Sequence, residues 1–148
     1  MYLKDITILP RILFLSFFTV IFGYGASIGV IEKGKLDRFE HAFALISRYG
    51  KVISVDKVGF KIRKNDLIKT FRKSTLQIRL KDNTVIKIGK KTTFRIDKYI
   101  FDTKNAKNNK ANMTIQNGTF QIKTGAIGDK APKNFKIKTK FSTIGLRG

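Results

Sequence analysis

The residues able to do chemistry are few and scattered. His41 is the one histidine among 148 residues, and cysteine is absent. A thiolate nucleophile and a disulfide are thereby excluded, and a zinc centre is not expected, because His41 has no second histidine or cysteine with which to share a metal. No Gly-x-Ser-x-Gly elbow occurs that would turn a serine toward a base, which leaves His41 to a surface or capping role. Gly89-Lys90-Lys91-Thr92 is loosely similar to a phosphate-binding loop. That motif requires a glycine where Thr84 stands and a helix afterwards, and a strand pattern follows instead. The carboxylates are spread singly, mostly in predicted turns, so no acid and base pair for glycoside cleavage stands out. Asn112-Met113-Thr114 and Asn117-Gly118-Thr119 fit the N-glycosylation triplet, as chance allows in a chain rich in Asn and Thr. The residues therefore read as a protein that is not an enzyme and that has no catalytic, metal or cofactor site.

What the residues do offer is charge. Lys and Arg number 31 against 10 Asp and Glu, a formal charge of +21. Such a field attracts polyanions: nucleic acid, anionic lipid head groups, or the phosphates and acidic sugars of a bacterial envelope. The length and the 42% hydrophobic content suit one domain with one modest core.

The N-terminus decides among those partners. Lys4 and Arg11 precede the apolar run at 12–22, and Gly23-Tyr24-Gly25 follows. A basic start, a short apolar stretch and small residues before a cut compose a secretory signal peptide, with cleavage expected between Gly25 and Ala26. The run is shorter than the roughly 20 apolar residues a membrane span requires. The alternatives are an uncleaved signal anchor, which too implies export, and a buried core helix. Residues 1–25 are thus the signal and 26–148 the domain. The cut removes Lys4, Arg11 and Asp5, leaving +20 on the exported part. A periplasmic or cell-envelope location ranks an envelope protein, anionic glycan or lipid above nucleic acid as partner.

The elements that follow are short and mostly of period two. Residues 27–32 read as a strand, and 36–46 as a short helix, from the spacing of Leu36, Phe39, Phe43 and Ile46. Residues 52–55 and 58–62 flank Asp56-Lys57 as an expected hairpin. Leu76-Gln77-Ile78-Arg79-Leu80 alternates cleanly, Asp82-Asn83-Thr84 turns, and Val85-Ile86-Lys87-Ile88 returns. Asn83 tolerates the left-handed angles such a turn requires. Strands follow at 94–96, 99–101, 113–115, 120–122, 135–139 and 142–146, with a loop at 102–112 and breaks at Asn117-Gly118 and 125–132. About ten short antiparallel strands and hairpins make the fold all-β, a twisted sandwich or β-solenoid-like domain. Arg79, Lys87, Arg95, Lys123, Lys136 and Lys138 occupy the outward positions, so one sheet face is expected to be basic. Outward lysine is also the ordinary means of keeping exposed strands soluble.

Asn134-Phe135-Lys136-Ile137-Lys138-Thr139 followed by Ser142-Thr143-Ile144-Gly145-Leu146-Arg147-Gly148 resembles the signature that closes the FecR domain. Upstream, Gly50-Lys51-Val52 resembles its opening strand, and Asn65-Asp66 with Ile68-Lys69-Thr70 its Gly-Asp and Ile-x-Thr pair. Residues 76–88 resemble its strand, Asp-Gly-Ser turn and return strand, and Gln116-Asn117-Gly118-Thr119-Phe120 the glycine-bearing strand that follows. The resemblance spans about 50–148. It implies an all-β periplasmic module in signalling across the envelope, which in the best-known members relays transporter status to a sigma factor. It marks Asp66, Thr70, Asp82, Gly118, Thr139, Gly145, Arg147 and Gly148 as structural signature residues, with Arg147 expected to pair with Asp66 or Asp82. Asn83 stands where the family prefers glycine. The apolar run begins without the cytoplasmic region those regulators carry, so this chain is not expected to hold a sigma factor, and its end within the signature suggests truncation.

Overall fold

The computed structural model describes residues 25–146. The expected signal at 1–25 lies outside them apart from Gly25, which is exposed, as is Ala26. Among the described residues no helix is long and apolar enough to cross a membrane.

Among the described residues twelve strands form two sheets. They are β1 (Ser27–Lys35), β2 (Ala44–Arg48), β3 (Lys51–Val55), β4 (Lys61–Arg63), β5 (Leu67–Thr70), β6 (Thr75–Leu80), β7 (Val85–Ile88), β8 (Thr93–Ile100), β9 (Lys110–Asn117), β10 (Phe120–Lys123), β11 (Phe135–Thr139) and β12 (Thr143–Gly145). One sheet runs β10-β7-β6-β1-β4 and the other β12-β11-β9-β8-β5-β2-β3. Every pairing is antiparallel except β9 with β11. A short helix α1 (Ala126–Lys130) lies between β10 and β11.

Period-two patterning fills the space between the sheets. Ile31, Ile62, Ile78 and Ile86 from one sheet and Ile46, Ile68, Phe94, Ile96, Met113 and Ile137 from the other belong to one buried cluster. Each strand thus turns its apolar side to the shared core and its polar side to solvent. The expected hairpin forms as β6 and β7, with Leu76 opposite Ile88 and Arg79 opposite Val85, and Asn83 takes a left-handed φ of 66°.

Three local expectations are corrected. Residues 36–43 are a loop, not a helix, and Ala44–Arg48 is a strand. The Asp37 carboxylate captures the N–H groups of Phe39 at 2.9 Å and Glu40 at 3.5 Å and starts a single turn, but His41 takes a left-handed φ of 53° and Phe43 donates its N–H to the Val55 carbonyl of β3 at 2.7 Å, which ends it. The residues around Asp56-Lys57 form no hairpin, because β3 pairs with β2 while β4 pairs with β1. There the chain crosses between the sheets, and Gly59 at φ 87° donates its N–H to the Ile31 carbonyl at 2.7 Å. The strands expected at 94–96 and 99–101 are one strand, β8, whose register slips between Ile96 and Lys98. Asp97 sits at that irregularity and binds Arg95 and Thr114.

Candidate interaction surfaces

Buried polar residues hold the loops at the ends of the sheets. Asp66, almost fully buried, accepts from Arg48 through both oxygens and from the Arg63 N–H at 2.8 Å. Asp82 accepts from the Thr84 hydroxyl at 2.8 Å, the Tyr99 hydroxyl at 2.9 Å and the Ile127 N–H at 3.1 Å. It therefore ties the β6–β7 turn to the first turn of α1, a stretch expected to be a break and now seen to contain a helix capped from a distant turn. Thr70 donates to the Gly89 carbonyl at 2.6 Å, and its hydroxyl accepts from the Thr92 N–H at 2.9 Å. Thr139 closes the β11–β12 turn by accepting from the Ser142 N–H at 3.0 Å.

Gly118 has a φ of 95°, and a Cβ there would stand 2.1 Å from the Thr92 hydroxyl oxygen. The signature residue Gly145 carries neither constraint. Its φ is not positive, and no described neighbour would crowd a Cβ. Arg147 and Gly148 lie outside the described residues. Within them, Asp66 takes Arg48 and Asp82 takes Tyr99.

Electrostatics follow these contacts. The hydrogen bonds it donates to Asp66 hold the Arg48 guanidinium above its ordinary pKa. Burial, reinforced by the neighbouring Asp82 charge, pushes the Tyr99 phenol up. Hydrogen bonds from Arg79 and Gln77 hold Glu32 below the usual carboxylate range.

The six outward cations do not share a face. Arg79, Lys87 and Lys123 stand on the five-stranded sheet, while Arg95, Lys136 and Lys138 stand on the seven-stranded one. Both sheets turn their apolar sides to the same core, so their basic sides point away from each other. Arg79 is paired with Glu32 at 2.6 Å and Arg95 with Asp97 at 2.5 Å. On the five-stranded sheet Gln77, Lys87 and Gln121 align across β6, β7 and β10. They line a shallow depression of about 560 Å³ with Lys33 and Lys35 on its margin. An adjoining depression of about 650 Å³ includes Lys123, Asp129 and Lys130. Gln77 and Gln121 were invisible to a search for charge, although the strand alternation puts them on the same side as Lys87. The exposed Phe39 was assigned to a helix face and so was missed as a surface aromatic.

The fold defines the class of protein, an all-β module of two sheets around one core. Residues 66–148, more than half of the chain, match the family described as FecR protein, and the chain belongs to that family. It is a family of envelope signalling modules without catalytic chemistry. The matched stretch starts at Asp66 and runs through β12. No curated protein and no solved structure matches the chain.

Proposed function

We propose that this chain is an exported, non-enzymatic FecR-like module that acts in the periplasm by binding an envelope protein through the outer face of its five-stranded sheet. The observation that carries the reading is the aligned row Gln77, Lys87 and Gln121 on an open, hollowed face. Gln77 is held in place by donating to Glu32, and its carboxamide oxygen together with the whole Gln121 carboxamide offers directional hydrogen bonds to a partner's backbone. The basic, apolar N-terminal segment supports export.

A photo-crosslinking residue at Gln121 in the producing cell tests the proposal, with the exposed Lys57 as control position. A discrete crosslinked protein at position 121, absent at position 57 and persisting in high salt, is the expected result. Equal labelling at both positions rules the face out. Fractionation with intact mass checks export, with a periplasmic species beginning at Ala26 expected and a cytoplasmic species retaining Met1 opposing it.

A second reading is a basic envelope-binding module for lipopolysaccharide, acidic glycan or anionic membrane. It is favoured by one observation: none of the ion pairs among the described residues involves a lysine. Co-sedimentation with anionic vesicles or polysaccharide that collapses with added salt supports it, since screening shortens to about 10 Å at 0.1 M. A salt-tolerant protein complex supports the first reading.

A further inference from the structure

At one end of the sandwich the β1–β2, β5–β6 and β7–β8 connections surround a hollow of about 640 Å³, lined in part by Phe39, Lys69, Arg72, Lys73, Lys91 and Asn117. Four of these are cations, and among the described residues none of the four is in an ion pair. Two acids border the same hollow, Asp37 and Glu40. Asp37 is already engaged: one oxygen accepts from the Phe39 and Glu40 N–H groups and the other from the Lys73 N–H at 3.0 Å. Those bonds fasten the loop carrying Phe39 to the loop carrying Lys73. Phe39 is 79% exposed, with the Lys73 ammonium 5.5 Å from the centroid of its ring.

The far rim is fixed as well. Lys91 adopts a left-handed φ of 47°, a conformation that costs energy for a residue with a Cβ and marks a place worth examining for function. Its N–H donates to the Phe71 carbonyl at 2.9 Å, and its carbonyl accepts from the Asn117 carboxamide nitrogen at 2.8 Å. Cations, an open aromatic ring and an amide therefore converge on pinned backbone.

We propose that this hollow binds an anionic saccharide, of the uronic-acid kind found in acidic glycans. The C–H face of a sugar ring packs on Phe39, where the aromatic face is electron-rich. The carboxylate lies among Lys69, Arg72 and Lys91, and Asn117 keeps its carboxamide oxygen for a sugar hydroxyl. A simple inorganic anion would leave the ring unused, and a neutral sugar would leave the cations unused. This site rests on the polyanion reading given above, and its test separates the two.

The test titrates the full chain with trigalacturonate, maltotriose, inorganic phosphate and phosphatidylglycerol vesicles. Trigalacturonate is expected to bind at least about tenfold more tightly than maltotriose or phosphate, and Phe39→Ala and Arg72→Gln are each expected to weaken it about tenfold. Both side chains are exposed, so unchanged melting temperatures are expected to show that the variants fold. Equal affinity of wild type and both variants for trigalacturonate would overturn this site while leaving the polyanion reading standing. Phosphate binding as tight as trigalacturonate, or binding to vesicles alone, also overturns it. Loss of all binding overturns both.

Discussion

One guanidinium joins the two sheets: Arg48 of β2 donates to Asp66 through Nε at 2.8 Å and Nη2 at 2.6 Å, and Nη2 also donates to the Lys61 carbonyl of β4 at 2.9 Å. Its plane lies over the Phe60 ring, 5.2 Å from the centroid. The Asp66 side chain is 1% exposed, so truncating Arg48 would leave a buried, unpaired charge. Loss of either partner is expected to cost about 3–5 kcal/mol by urea denaturation. Arg48→Lys keeps the charge but not the fork, and is expected to lose about 1–2 kcal/mol. A cost under about 1 kcal/mol for Asp66→Ala would show that the pair does not hold the sheets.

Tyr99 sets the alkaline limit. Its hydroxyl donates to Asp82 and accepts from the Asp82 N–H at 2.9 Å, and its phenol is held well above the ordinary value of 10.0. Because the folded-state pKa is raised, the folded chain keeps a proton that the unfolded chain releases near pH 10. The stabilisation is complete below that pH and is lost as pH rises toward the folded value. Absorbance at 295 nm is expected to show a phenol that ionises together with unfolding. Tyr99→Phe should remove that phase and cost about 1 kcal/mol at neutral pH. A Tyr99 that titrates before unfolding would contradict the assignment.

On the acid side the sign reverses. Glu32 is held below 4.5, chiefly by the Arg79 hydrogen bond, and Asp37 below 3.8, chiefly by the Phe39 N–H. Depressed values give stability that is present above the unfolded pKa and lost as pH falls through the folded one. Stability should therefore decline below about pH 4, and Glu32→Gln with Asp37→Asn should flatten that decline. An acid profile unchanged by both substitutions would place the lost stability elsewhere.

The strands were legible wherever apolar and polar residues alternate, as in β6 and β7, because the alternation is itself the signature of a sheet with one buried face. Which sheet a strand joins was not legible. Lys87 and Lys136 have the same kind of neighbours in sequence, yet they stand on opposite faces of the sandwich. The hairpin expected at Asp56-Lys57 failed for a related reason, since local patterning cannot distinguish a turn from a crossing. Asp66 and Asp82 stood out through family resemblance, but their partners Arg48 and Ile127 lie 18 and 45 positions away. The Phe39 hollow is assembled from several separate connections, and the spacing of Leu36, Phe39 and Phe43 pointed instead to a helix.

Glycine substitutions separate close approach from backbone strain. At Gly125, φ is −105°, which any residue adopts, but a Cβ would stand 2.0 Å from the Asp82 carbonyl oxygen. Gly118 combines a φ of 95° with a contact at 2.1 Å, whereas Gly50 has a φ of 76° and open space around it. Alanine is therefore expected to cost about 3 kcal/mol or more at Gly118 and Gly125, and about 1–2 kcal/mol at Gly50. At Gly145, with neither constraint, the expected change is within about 0.5 kcal/mol. Thermal melts of the four variants give the order directly. A large loss at Gly145 would show that this signature glycine serves a contact beyond the described residues, and a small loss at Gly125 would mean that α1 can move off the β6–β7 turn without loosening the core.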